Sequence, residues 1–163
     1  MTELSVTELR MLALVQENHM SNVELAQRLG MAPSPCLRRM KSLRDQGFIE
    51  RTVSVLNRRL LGFEILALTQ IKVPQINMRS MDEEFRRAIQ REPAIIGCYT
   101  ISGHFDFLLK VVATSIDAYA HFARNVIVRL PGVADMSSSF VLETVKDSTA
   151  LPLEILKRQA AKR

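Results

Sequence analysis

Residues 21–50, SNVELAQRLGMAPSPCLRRMKSLRDQGFIE, carry the strongest structural signal in the sequence. Ser21 and Glu24 have the spacing of a capping box, which predicts the start of a short helix. Gly30 suits the left-handed conformation that ends such a helix. The apolar positions between them have helical spacing and comprise Val23, Leu25, Ala26 and Leu29. We therefore expect a short helix that packs through one side.

A second helix follows at once, and its two sides differ. Ser34 and Pro35 match a helix cap and first turn, and Gly47 matches the end of the helix. At 100° per residue, the side expected to be buried comprises Cys36, Leu37, Met40 and Leu43. The opposite side comprises Pro35, Arg38 and Ser42, flanked by Arg39 and Lys41. Two such helices joined by a short turn have the helix-turn-helix design.

Positive charge is concentrated around this second helix. Between Pro33 and Arg59 the basic residues are Arg38, Arg39, Lys41, Arg44, Arg51, Arg58 and Arg59, and the acidic residues are Asp45 and Glu50. The balance of 7 − 2 = +5 equals the net charge of the whole chain, +5. Most charge runs are only solvated faces, but this concentration on one helix and the segment after it favours DNA as the partner.

Composition limits the classes of protein to which this chain can belong. The 163 residues are 47% hydrophobic and 24% charged, which is typical of a globular chain with a substantial core. No apolar run approaches the roughly 20 residues of a membrane span, and residues 1–10 lack the apolar region of a signal peptide. Cys36 and Cys98 do not form a disulfide framework. We expect a cytoplasmic protein without a metal or cofactor.

Flanking segments complete a first domain over residues 1–62. Ser5 and Glu8 form another capping box, which predicts a helix from Ser5 to about Glu17. The segment 48–56 alternates weakly and predicts a strand or hairpin wing. Arg51 and Arg58, in and just after that wing, would contact phosphates.

The rest of the chain, residues 63–163, changes to an α/β pattern. Strands are expected over residues 64–73, 94–101, 105–113 and 134–145. Two helices are expected between them, one capped by Ser80 with Glu83 three residues later and one capped by Asp117. The order βαββαβ predicts a ferredoxin-like (RAM/ACT-like) domain and an α+β fold overall. The strands are apolar on both faces, which predicts sheet-to-sheet dimerisation. The tail from Leu151 is either a short helix on the partner copy or a frayed end.

Two groups of motifs stand out along the chain. The first comprises SNVEL at 21–25, PSPCLRR at 33–39 and QGFI at 46–49. The second comprises SGHFDFLLK at 102–110, RLPGV at 129–133 and SSFVLE at 138–143. Together they resemble the leucine-responsive/asparagine-responsive (Lrp/AsnC) family of transcription regulators. The resemblance covers nearly the whole chain. It implies a dimer that assembles further, often to an octamer, and binds operator DNA.

The resemblance also implies an amino-acid effector, held between dimers near the turn between the second and third strands. Carried onto this chain, the effector site comprises Thr100, Gly103, His104 and Asp106, with Ile116, Val128 and Ser139 in its wall. Gly103 would let backbone N–H groups approach a carboxylate, and Asp106 would pair with an α-ammonium. Alternatively, Gly103 only makes a turn and Asp106 only caps it.

His104 stands where the family usually has an acidic residue. It is two residues from Asp106 on an extended chain, so both side chains can point to one side. Three interpretations remain open, namely an ordinary exposed histidine, an altered effector pocket or a metal-binding pair. A metal site would need further ligands.

The function predicted from these observations is effector-modulated, sequence-specific DNA binding by a nucleoid-associated transcriptional regulator. Base edges would be contacted by Ser34, Arg38 and Ser42 beside Pro35, and phosphates by Arg39, Lys41, Arg51 and Arg58. The alternative is an architectural DNA-binding protein with little sequence preference or no effector. An enzyme is disfavoured, because the sequence has no Gly-rich phosphate loop, metal-spaced Cys/His cluster or nucleophile beside a base.

Overall fold

The computed structural model describes residues 4–17, 20–73 and 78–156, without the side chains of residues 17 and 78–82. The chain divides into two compact units. One comprises residues 1–54 with 146–163, and the other comprises residues 55–145. The chain thus passes from the first unit to the second after residue 54 and returns after residue 145, whereas the sequence predicted a single boundary between residues 62 and 63.

Three helices form the first unit: α1 (Val6–Glu17), α2 (Asn22–Leu29) and α3 (Pro33–Asp45). Both predicted capping boxes are confirmed, because Ser5 and Glu8, like Ser21 and Glu24, exchange backbone and side-chain hydrogen bonds. Gly30 ends α2 at φ 63°, as predicted. The core beneath the helices comprises Met11, Leu12, Leu25, Ala26, Cys36, Met40 and Leu43.

Three details of the predicted helices are wrong. Ser34 is not a cap, because α3 already begins at Pro33, whose ring presets the helical φ, and the cap residue Ala32 offers no side-chain bond. Leu37 is 49% exposed, because it lies outside the i, i+4, i+7 stripe that packs in the core. Val23, at the solvent side of α2, is 54% exposed.

The predicted strand or hairpin wing over 48–56 is wrong. Residues 50–57, all of them described, have no regular secondary structure. A strand requires a neighbour for its backbone hydrogen bonds, and no described segment of the chain pairs with this one. Its apolar side chains are consequently exposed, Val53 by 66% and Val55 by 87%.

The C-terminal segment returns to the first unit of its own chain. The side-chain amide of Gln16, on α1, donates to the carbonyl of Leu151 at 2.9 Å and accepts from its N–H at 3.0 Å. Leu153 packs against the core of the same unit, and residues 154–156 form a helical turn. Up to residue 156 the tail is therefore not frayed, and it packs on its own chain through Leu151 and Leu153.

The second unit has the predicted βαββαβ order. Its elements are β1 (Ile65–Lys72), α4 (Met78–Gln90), β2 (Ile95–Thr100), β3 (Phe107–Ala113), α5 (Ile116–Asn125) and β4 (Asp135–Phe140), with a short 3₁₀ helix (Ile127–Arg129) after α5. The strands form one antiparallel sheet in the order β2-β3-β1-β4. The ferredoxin-like prediction is confirmed.

Both predicted helix caps of this unit are wrong. The helix α4 begins at Met78, so Ser80 lies inside it. The cap of α5 is Ser115, whose hydroxyl accepts from the Ala118 N–H at 3.1 Å, and Asp117 lies in the first turn. Ser115 takes this role because it is the last extended residue, at φ −150° and ψ 169°. The strand β4 also ends five residues before predicted.

The sheet is apolar on both faces, as predicted. One face packs under the helices through the odd-numbered residues of β1 and β3, such as Ala67 and Leu109, which are fully buried. Leu66, Leu68, Leu108 and Val112 lie on the opposite face, where they are only partly buried. None of the helices in the described part of the chain is long and apolar enough to cross a membrane.

Candidate nucleic-acid and effector sites

The outer face of α3 carries the predicted DNA-contacting residues of the first unit. The helix is fixed from below by Cys36, Met40 and Leu43, which are 0–1% exposed. On the other side, Ser34, Arg38, Arg39, Lys41 and Ser42 are exposed and Pro35 is partly buried. Because the buried stripe anchors α3, these side chains project into solvent from a rigid element.

Arg39 lies at the edge of this face that is near α1. Its charge contributes to lowering the pKa of Glu8, although the main cause is the hydrogen bond from the Ser5 hydroxyl, followed by that from the Ser5 backbone. Arg39 therefore interacts electrostatically with α1. Its side chain is also long enough for the guanidinium to extend into solvent.

Arg51 and Arg58 differ in their surroundings. Arg51 is exposed in the irregular segment after α3. Arg58 is partly buried, and its Nη1 donates to the carbonyls of Phe63 and Glu64 at 2.7 and 2.9 Å. Arg58 thus holds the loop before β1 closed, a role that the sequence pattern did not indicate.

The sequence also gave no role to Gln46, which follows α3. Its side-chain Nε2 donates to Ser42 Oγ at 2.7 Å. The i, i+4 spacing of the two residues was the signal available in the sequence.

The turn between β2 and β3 is held by two backbone hydrogen bonds, one across the turn and one to β1. The Ile101 N–H donates to the Asp106 carbonyl at 2.9 Å, and the Asp106 N–H donates to the Ile71 carbonyl at 2.9 Å. Gly103 has φ 116°, a conformation that side chains disfavour, and apart from its two neighbours in the chain no described residue places an atom within 4 Å of the position a Cβ would take. A ligand group can therefore approach the backbone of the turn closely.

Asp106 ties this turn to the end of β1. Its Oδ2 accepts from the Val73 N–H at 2.8 Å, and its Oδ1 lies 3.3 Å from Lys72 Nζ. The hydrogen bond from Val73 is the main cause that lowers the pKa of Asp106, and Lys72 and His104 add to it. The carboxylate is therefore charged at neutral pH and already serves as a clamp.

One protomer does not bring all the predicted effector residues together. Thr100 lies on β2, at one edge of the sheet, where it pairs with Phe107. Ser139 lies on β4, at the other edge, where it pairs with Leu68 and is on the opposite face of the sheet. Three strand spacings separate them by about 14 Å. Ile116 follows the far end of β3, about 20 Å along the strand from the turn. A site that used all of them would need residues from more than one protomer.

His104 and Val128 are exposed. The His104 ring lies edge-on to the Phe105 ring, with centroids 4.9 Å apart. Among the residues that the structure describes, no group of three His, Cys, Asp or Glu side chains could hold a metal ion.

Comparison with known proteins gives two family matches. Residues 4–50 match a model described as winged helix-turn-helix DNA-binding, and residues 66–151 match one described as the Lrp/AsnC ligand binding domain. The leucine-responsive regulatory proteins of Escherichia coli K12 and Salmonella typhimurium are 36% identical over 143 residues, which are 86% of this chain and 85% of each relative.

Solved structures agree with these matches. A transcriptional regulator from Neisseria meningitidis, crystallised as an L-Met complex, is 32% identical and superposes with a TM-score of 0.90 over 94% of this chain and 99% of that chain. An AsnC family transcriptional regulator from Agrobacterium tumefaciens is 27% identical, with a TM-score of 0.86 over 94% and 99% of the two chains.

Proposed function

Because the chain belongs to the Lrp/AsnC family of transcriptional regulators, we propose that it binds operator DNA through the outer face of α3 and an amino acid beside the β2–β3 turn. The observation that carries the DNA contact is the exposed Arg/Lys/Ser face of a helix anchored in a core by its opposite side. We place the protein in the cytoplasm, on the nucleoid.

Arg38 is central to the proposed DNA contact, because it lies opposite the buried stripe of α3. A bidentate arginine contact to guanine is worth about 1–3 kcal/mol of base discrimination. We therefore expect Arg38→Ala to lose preference at one base position of the operator, by roughly 5- to 150-fold. Binding to operator variants, each changed at one base pair, measures this loss.

The matched control for Arg38→Ala is Arg91→Ala, which removes the same charge from an exposed position in the second unit. It should leave the base preferences unchanged. If Arg38→Ala weakens operator and scrambled DNA by the same factor, Arg38 contacts only phosphates. Wild-type protein with a steep salt dependence and no cognate preference would indicate an architectural DNA-binding protein.

Arg51 is proposed to contact a phosphate, because it is exposed in the segment directly after the first unit's helices. Loss of one phosphate contact lowers the slope of log affinity against log salt by about one and weakens all DNA sequences alike. We expect this change in Arg51→Ala, measured by titrations at several salt concentrations. Arg124→Ala, an exposed position on α5, should keep the wild-type slope, and an unchanged slope in Arg51→Ala would remove Arg51 from the interface.

The effector is proposed to be an amino acid. The Neisseria relative was crystallised with L-Met, and the turn of this chain offers accessible backbone at Gly103 and a charged carboxylate at Asp106. These two features are complementary to a carboxylate and an ammonium group.

A thermal-shift screen of the full chain against the twenty amino acids, starting with L-methionine, tests this proposal. A ligand at 100 times its Kd stabilises the native state by about 2.7 kcal/mol. We expect a rise in Tm with one or a few L-amino acids and none with the D-enantiomer of the same compound. No rise with any amino acid at millimolar concentration would contradict the proposed effector class.

Assembly into a homodimer, and from dimers into an octamer, is part of the same proposal. The sheet face that contains Leu66, Leu68, Leu108 and Val112 is not covered by the helices of its own unit. The irregular segment after α3 exposes Val53 and Val55. A second copy would remove both apolar surfaces from water, and it would also supply the effector residues that one protomer holds apart.

A further inference from the structure

The end of α3 carries a side-chain pair, Ser42 and Gln46, of which only Ser42 is among the DNA contacts predicted above. Gln46 Nε2 donates to Ser42 Oγ at 2.7 Å. The residues are four apart and therefore lie on the same side of the helix, and both are exposed. The pair thus extends the outer face of α3 by one turn.

The backbone holds Gln46 in a fixed place. Its N–H donates to the Ser42 carbonyl at 2.9 Å. The Gly47 N–H donates to the Arg44 carbonyl at 2.9 Å, and the Phe48 N–H to the Leu43 carbonyl at 3.0 Å, which together form a Schellman motif. Because Leu43 is fully buried, this motif is anchored in the core.

In the Gln46–Ser42 hydrogen bond the serine hydroxyl is the acceptor, so its own proton is not used in that bond. A hydroxyl oxygen can accept and also donate its own proton. The Ser42 oxygen accepts from Gln46, and no described residue provides a hydrogen-bond acceptor for the Ser42 proton. The proton is therefore available to an acceptor outside the protein. In the major groove such acceptors are guanine O6 and N7, adenine N7 and thymine O4.

We propose that Gln46 is a positioning residue for base recognition: its amide holds the Ser42 hydroxyl so that the hydroxyl donates to an acceptor on a base edge. The inference rests on the proposed DNA contact of Ser42. It also predicts that Gln46→Glu reverses the direction of this hydrogen bond. In Gln46→Glu a carboxylate oxygen replaces Nε2, so that Ser42 donates inward and offers only lone pairs to DNA, which suit the amino groups of adenine or cytosine.

Selection from a randomised duplex library, followed by sequencing of the bound DNA, tests the proposal with full-length protein. The set comprises the wild type, Ser42→Ala, Gln46→Ala, Gln46→Glu and the control Gln27→Glu, which adds the same charge at an exposed position of α2. Affinity for non-specific DNA and the Tm are measured alongside. Gln46→Glu keeps the side-chain length, so it tests the contact even if the alanine variant unfolds.

We expect the wild type to prefer an acceptor-bearing base at one position by roughly fivefold, as one neutral hydrogen bond implies. Ser42→Ala and Gln46→Ala should both reduce that preference to within about twofold at the same position. Gln46→Glu should shift the preference there toward adenine or cytosine and away from guanine and thymine, whereas Gln27→Glu should leave it unchanged.

A preference that survives in Gln46→Ala but is lost in Ser42→Ala would overturn the inference. So would unchanged preferences in Ser42→Ala while Arg38→Ala alters one, an outcome that leaves the proposed DNA-binding function intact. A wild type that selects no sequence would reject sequence-specific binding and the inference with it.

Discussion

Leu43→Ala is expected to destabilise the DNA-binding unit by about 2–5 kcal/mol, the usual cost of truncating a fully buried leucine. Leu43 is 0% exposed and lies where α3 packs on the other helices. It also accepts, through its carbonyl, the Phe48 N–H that ends the helix. A cavity here loosens the helix that carries the DNA contacts, so DNA affinity should fall together with stability. Chemical denaturation followed by circular dichroism measures the loss of stability.

Leu37→Ala is the matched control, because it makes the same substitution on the same helix at a side chain that is 49% exposed. Less apolar surface is returned to water and no closed cavity forms, so the cost should be below about 1 kcal/mol. Equal destabilisation by the two variants would mean that the described packing of α3 is wrong.

The same pair of leucines shows what helical periodicity can predict. The sequence pattern identified α3 and its polar outer face, and three of the four residues predicted to be buried are buried, because a 3.6-residue period is local information. It could not decide Leu37, which is apolar but lies at the margin of the stripe. Whether a residue at the margin is buried depends on the positions of the neighbouring helices, and the sequence pattern of α3 carries no information about those positions.

Helix starts show a similar limit. Ser5 and Ser21 were predicted correctly from the capping box, which requires a second residue, the glutamate three positions later. The same spacing from Ser80 to Glu83 misled the prediction, because α4 already begins at Met78. Ser34 and Asp117 were candidate caps without that partner, and Pro33 and Ser115 displaced them from the helix start. A single polar residue near a helix start predicts that a helix begins there, but not at which residue.

The effector site was the least predictable part of the chain. The motif SGHFDF located the turn, but the partners of Asp106 are Lys72 and Val73, more than thirty residues earlier. They reach Asp106 only because β1 lies beside β3 in the sheet. The resemblance assigned Asp106 to a ligand, with capping of the turn as the alternative, and the contacts with Lys72 and Val73 make Asp106 a clamp between the turn and β1.

Replacing Asp106 separates these two roles and should have a large effect on the effector site. In Asp106→Ala the Val73 N–H and Lys72 lose a charged acceptor, and we expect a loss of about 1.5–3 kcal/mol in the free energy of unfolding. Asp106→Asn keeps an oxygen for the Val73 N–H but removes the charge, so it should cost less. Denaturation of the wild type and both variants at neutral pH gives these differences.

The pH dependence of the same measurement identifies the charged form as the stabilising one. Because folding lowers the pKa of Asp106, its contribution is complete above the pKa of the unfolded carboxyl, about 3.9. It is lost as the pH falls through the lower folded value. The stability difference between the wild type and Asp106→Asn should therefore shrink only in acid. A difference that stays constant down to that range would show that the charge contributes nothing.

Amino-acid binding by Asp106→Asn then decides the ligand role. An amide oxygen attracts an α-ammonium far less than a carboxylate does, so the variant should fold, with only the smaller stability loss given above, yet lose the thermal shift that the wild type shows with its effector. Lys72→Met, which removes the neighbouring cation but leaves Asp106 charged, should retain that shift. If Asp106→Asn keeps the full shift, Asp106 acts as a clamp alone, and the ammonium must be held by other groups of the turn or by a second protomer.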